Sequence, residues 1–159
     1  MATAGFTEAF RTHEFVVEID GIDSPGVTKV SGLSDGEVEA IEQPDGGSNI
    51  THKISSGIVK FGDLTLERNM DGSPADAAFL TWFQQMFQID GSGVPPGSGS
   101  PLRKNGSVVK KQFGVEVLRY AFEGAWIKSS KFSDLDAASS GLMKQTIVLA
   151  IERMYRVAP

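Results

Sequence analysis

Gly57-Ile58-Val59-Lys60-Phe61-Gly62-Asp63-Leu64-Thr65-Leu66-Glu67-Arg68 is the stretch on which the fold turns. Side chains of an extended chain alternate between two faces, so Leu64 and Leu66 share one face. The same pattern recurs on both sides. Phe15-Val16-Val17-Glu18-Ile19-Asp20-Gly21 places Phe15, Val17 and Ile19 together and then stops at a turn. Residues 27–33 read as the partner of that strand, and residues 37–42 as a further extended piece. Asp45-Gly46-Gly47-Ser48-Asn49 is turn chemistry, the tip of a long hairpin whose second arm begins near Ile50. Strand-like sequence resumes at residues 112–118 and runs on through 120–128. A last strand covers residues 145–155, with Ile147, Leu149 and Ile151 on one face.

One segment has helical spacing. Ser73-Pro74-Ala75-Asp76 supplies an N-cap residue, a proline at the first helical position and an acid in the first turn. Phe79, Trp82, Phe83 and Met86 then recur on one face, so a helix over 74–87 is expected to bury an aromatic stripe as core. Residues 91–106 hold Gly-Ser-Gly, Pro-Pro, Gly-Ser-Gly-Ser-Pro and Asn-Gly, and read as a flexible, exposed loop inserted in a single domain spanning 1–159. No internal repeat stands out.

At 159 residues, 40% hydrophobic and 22% charged, the chain can bury a core without staples. It has no cysteine, which excludes disulfides and thiolate metal sites. The start has no basic region followed by an apolar run, and no stretch approaches the roughly 20 apolar residues of a membrane helix. The expectation is a chain made in the cytoplasm, with no membrane insertion of its own. A net charge of −5 argues against holding nucleic acid by bulk electrostatics.

Catalysis needs a constellation, and none is legible. His13 and His52 stand alone, and there is no Gly-x-Ser-x-Gly elbow. Gly91-Ser92-Gly93 lacks the Lys-Ser or Lys-Thr of a phosphate loop. No catalytic residue, cofactor or metal site is expected. Charge is instead segregated along the chain. Residues 30–52 carry Asp35, Glu37, Glu39, Glu42 and Asp45 with no Lys or Arg. Residues 91–115 carry Arg103, Lys104, Lys110 and Lys111 with no Asp or Glu. Such runs form either two solvated faces or the two halves of a head-to-tail contact. Glu37, Glu39, Glu42, Asp45, Arg103, Lys104, Lys110 and Lys111 are therefore the candidates for an inter-subunit, ring-stacking interface. Glu42 and Asp45, nearest the hairpin tip, are favoured; lining a channel is the other use for the glutamates.

The order of motifs resembles a known family. Phe15 to Gly21, Val30-Ser31-Gly32-Leu33 and the opening stretch at 57–68 are followed by the helix with Thr81-Trp82-Phe83. Then come Phe122-Glu123-Gly124-Ala125-Trp126-Ile127-Lys128, Ser133-Asp134-Leu135-Asp136-Ala137 and Ile151-Glu152-Arg153. Together these resemble the tail-tube proteins of contractile phages and extracellular contractile injection systems, relatives of the haemolysin-coregulated needle protein of type VI secretion. Residues 91–106 look longer than the family's pattern.

The resemblance implies a mainly β fold: a small β-barrel of paired antiparallel sheets with one flanking α-helix and a long hairpin, assembling into a ring. It implies a non-enzymatic structural subunit whose first partner is itself, in hexameric rings stacked around a channel. A contractile sheath, a baseplate, and tape-measure or cargo proteins are the other implied partners. DNA or effector passes without specific binding, and the product is a phage virion tail or an injection particle. The alternatives are a type VI needle that carries effectors and, from a different class, a monomeric ligand-binding β-barrel.

Overall fold

The computed structural model describes residues 7–22, 25–85 and 103–158. Among these described residues, nine strands and one helix follow in the order β1 (Phe15–Ile19), β2 (Val27–Ser31), β3 (Glu37–Pro44), β4 (Thr51–Lys60), β5 (Leu64–Asn69), α1 (Pro74–Gln84), β6 (Lys104–Gln112), β7 (Val115–Phe132), β8 (Lys144–Ala150) and β9 (Arg153–Val157). Seven of the strands form one antiparallel array in the order β1-β6-β7-β8-β5-β2, with β9 on β7, while β3 and β4 pair only with each other.

The 18-residue β7 organises the array. Its first part pairs with β6 and β9, and its second part, Trp126 to Phe132, pairs with β8. The ladder with β8 shifts register between Ile127 and Ser129. A strand that changes partners in this way lets two sheets share it and fold over one core. Alternation along β5 and β8 buries Leu64, Leu66, Ile147 and Leu149, and Phe122, Ala125 and Ile127 of β7 face them. Helix α1 closes the core with Ala75, Phe79 and Trp82. Ser73 is its N-cap residue, but the Ser73 hydroxyl does not cap. The Asp76 carboxylate instead accepts the Gly72 N–H at 2.6 Å, while the Asp76 N–H donates to the Ser73 carbonyl at 3.0 Å. The expected helix end at Phe87 lies outside the described residues.

Three expectations are corrected. The segment 27–33 is not the partner of β1: β1 pairs with β6, and β2 pairs with β5. The cause is a long-range capture. The Arg68 Nε–H donates to the Pro25 carbonyl at 2.8 Å, which draws the start of β2 onto β5, where Val27 lies opposite Arg68. The two strands thus end at opposite edges of the array.

The loop does not extend to residue 106. Strand β6 begins at Lys104, and residues 91–102 lie outside the described residues. Gly106 looked like turn chemistry, yet it serves a close approach. A Cβ there would sit 2.3 Å from the Glu18 carbonyl oxygen and 2.5 Å from the Phe122 ring. The turn lies later, at Phe113 and Gly114, whose φ angles of 51° and 79° make a tight two-residue hairpin connection. Glu14 accepts the Gly114 N–H at 2.9 Å and the Phe113 N–H at 3.0 Å. These bonds, Gly114's first, hold the Glu14 carboxyl below the usual carboxylate range.

The last strand is two. It breaks between Ala150 and Arg153, so that β8 serves the second part of β7 and β9 the first. The Glu152 N–H donates to the Glu123 carbonyl at 3.0 Å across the break.

Gly106 offers a direct check on this architecture. Gly106→Ala is expected to destabilise the subunit by about 1–3 kcal/mol, because the β1 backbone at Glu18 and the buried Phe122 ring must both shift to admit a methyl group. Urea denaturation of the dissociated subunit measures this. An unchanged midpoint would place β1 away from β6.

Candidate assembly interface

The hairpin of β3 and β4 stands off the body. Every residue of β3 is exposed, and of β4 only the central Ser56 is half-buried. Val38, Ile41, Ile54, Ile58 and Val59 are all exposed apolar side chains on this ribbon. A two-stranded ribbon with both faces in water is marginal at best, and clustered exposed apolar groups mark a surface that is covered in use.

The hairpin also supplies partners for its own acids. In register, Glu37 lies opposite Lys60 and Glu42 opposite Lys53. Lys60 Nζ is 3.2 Å from Glu39 Oε2. The acidic run along the chain is therefore partly offset by Lys53 and Lys60 on the returning strand. The register shifts between Val38 and Ala40, opposite residues Val59 and Ser55, so β4 carries extra residues there. Asp45 organises the tip: its Oδ1 accepts the Gly47 N–H at 3.1 Å and its Oδ2 the Ser48 hydroxyl at 3.1 Å. Asp35, just before β3, meets Arg156 Nε at 3.1 Å.

The four basic candidates lie at the two ends of β6. At its start, the Arg103 guanidinium is on the Glu152 carboxylate, and Lys104 Nζ lies 5.7 Å from the Trp82 ring centroid. At its end, Lys110 Nζ donates to the His13 carbonyl at 2.7 Å, and the Lys111 N–H to the Glu14 carbonyl at 2.8 Å. The structure thus brings Glu39 to a lysine of its own hairpin, and divides the basic residues into two pairs. The apolar side chains of the ribbon escaped sequence reasoning. Their signal was present in Ile41, Ile50, Ile54 and Ile58, but only pairing shows that no core covers them.

A buried network also went unread. Arg68 is fully buried, and its guanidinium reaches the Asp76 carboxylate, Gln145 Oε1 at 3.1 Å and the Pro25 carbonyl. It ties β5 to α1, β8 and the chain before β2.

Comparison with known proteins assigns the chain to a family. The model of the T4-like virus tail tube protein gp19 family matches residues 11–155. The chain belongs to that family. It is a tail tube subunit, a structural protein and not an enzyme. Among curated proteins, none matches in sequence. Among solved structures, a chain of the anti-feeding prophage baseplate, determined with 6-fold symmetry, superposes with a TM-score of 0.75 at 20% identity, covering 96% of this chain and 98% of that one. A chain of the PVC sheath–tube complex, an extracellular contractile injection system in its extended state, gives 0.70 at 20% identity over 95% and 93%. Hcp1 from Flavobacterium johnsoniae gives 0.54 at 17% identity over 92% and 97%. At these identities the likeness is one of fold: the tail tube protein has the paired-sheet tube fold with one helix.

Proposed function

We propose that this tail tube protein closes into rings of six that stack inside a contractile sheath and pass cargo through the channel. The observation that carries the reading is the β3–β4 ribbon, whose apolar side chains have no cover within the subunit. A neighbouring copy is the partner that a tube subunit always has at hand. Strands β1 and β2 lie at the two ends of the sheet order, and lateral pairing between copies removes such open edges. The sheath–tube complex and the six-fold baseplate of the structural relatives support the sheath and the ring number.

Glu42 and Asp45 lead the polar contacts of this interface, with Glu37 and Glu39 behind them and Arg103, Lys104, Lys110 and Lys111 as basic counterparts on the next copy. A ring or stack interface is head-to-tail, so patches at different places on one subunit meet. Purified protein is expected to form rings or tubes in negative-stain images and in sedimentation. Assembly is expected to weaken as ionic strength rises, and with the triple substitution of Glu37, Glu39 and Glu42 to Gln. A sharp monomer at high concentration, without rings, overturns the tube reading. Assembly indifferent to both salt and the triple substitution overturns the acidic–basic interface alone.

A further inference from the structure

A cavity of about 320 Å³ opens between the segment before β1 and the strands at that end of the molecule. Phe10, Phe15, Val30, Leu33, Leu118 and Tyr120 give it apolar walls. Arg11 and Lys110 also line it. Arg11 lies 4.1 Å over the Phe113 ring, and its buried Nε has no hydrogen-bond partner among the described residues. Glu14 is the nearby acid, 3.5 Å from Arg11, and its oxygens already accept two backbone N–H groups. Two cations against one anion leave the site net positive.

The loop between β7 and β8 has the opposite character. Ser133-Asp134-Leu135-Asp136-Ala137 places a leucine between two acids, and Leu135 is 82% exposed. The loop is held in shape. Ser133 N–H donates to the Lys144 carbonyl at 2.9 Å, Lys144 N–H to the Ser133 hydroxyl at 2.9 Å, and Ala138 N–H to Asp136 Oδ1 at 2.9 Å. Asp134 makes no ion pair among the described residues. A leucine presented by a preformed loop loses little freedom on docking.

We propose that Leu135 of one copy seats in this cavity of the next copy, with Asp134 and Asp136 against Arg11 and Lys110. The inference rests on the tube reading and names a contact within it. Tyr120 of the cavity wall and Phe132 before the loop both lie on β7, and the loop residues are not among those that line the cavity of their own subunit. A contact between two unlike patches is head-to-tail, and it repeats from copy to copy.

The absence of cysteine makes the contact directly testable. In assembled tubes of the double variant Leu33→Cys with Leu135→Cys, mild oxidation is expected to give a ladder of disulfide-linked multimers on a non-reducing gel. Each single variant is expected to give none beyond dimer. Adding Asp134→Asn and Asp136→Asn is expected to lower the ladder yield several-fold, with the circular dichroism unchanged. Tubes that form without a ladder overturn this contact and leave the tube reading standing. Wild-type protein that never assembles overturns both.

Discussion

Trp82→Ala is expected to destabilise the dissociated subunit by about 3–5 kcal/mol, the cost of emptying an aromatic site in a packed core. Trp82 is 2% exposed and Phe79 beside it 1%, and both belong to the one face of α1 that meets the sheets. For a chain of this size each kcal/mol lowers the melting temperature by about 2–4 °C, so a fall of roughly 6–20 °C is expected. Leu80 on the same helix is the control. It is 54% exposed, and Leu80→Ala is expected to stay within about 0.5 kcal/mol of the parent. Urea titration of both variants measures the contrast. A Trp82→Ala midpoint equal to that of Leu80→Ala would mean that α1 does not close the core. Assembly is a separate readout: the variant should still form rings at low temperature, because nothing in the ribbon or at the array edges changes.

Which features were legible follows from their range. The start of α1 is a local matter, written in Ser73 and Pro74, and its buried face follows from the spacing of Phe79 and Trp82. The hairpin tip at Asp45 is equally local, as its bonds to Gly47 and Ser48 show. Alternation at Leu64 and Leu66, or at Ile147 and Leu149, states which face is buried but not which strand lies alongside. For that reason the partner of β1 was misread. It lies beyond residue 103, in a stretch whose Asn105 and Gly106 imitate a turn. The same limit applies to the interface. Glu37, Glu39 and Glu42 stood out as unpaired acids along the chain, while Lys53 and Lys60 become their neighbours only through hairpin register. Leu135 was noticed as part of a motif, and its exposure depends on the loop geometry around it. Family order of motifs carried what local physics did not, since no periodicity in the chain specifies a tube.

Arg68→Met is expected to cost about 3–5 kcal/mol, the range for breaking a buried ion pair by removing one partner. Nothing on the surface explains a fully buried arginine in a signature strand, so its role must be internal. Its Nε–H holds the Pro25 carbonyl at 2.8 Å, and its other donors meet the Asp76 carboxylate, Gln145 Oε1, the Ser73 hydroxyl and the Met70 sulfur, with the Asp71 carboxylate 3.7 Å away. Methionine preserves much of the aliphatic stem but takes the donor away from the Pro25 carbonyl, Asp76 and Gln145 at once. Lysine is a poor substitute as well, because one ammonium cannot match a planar fork aimed at several partners. Asp76 also caps the turn before α1 through the Gly72 N–H, so the lost pair loosens the helix as well as β2. The pair variant Arg68→Met with Asp76→Asn separates the contributions. It removes the stranded charge while keeping an acceptor for Gly72, and is expected to recover about 0.5–3 kcal/mol relative to additivity. If Arg68→Met matched the parent in urea, water would have to reach these groups, and the capture that sends β2 to β5 instead of β1 would need another cause. A large loss with no recovery in the pair variant would put the weight on the Pro25 and Gln145 bonds rather than on the ion pair.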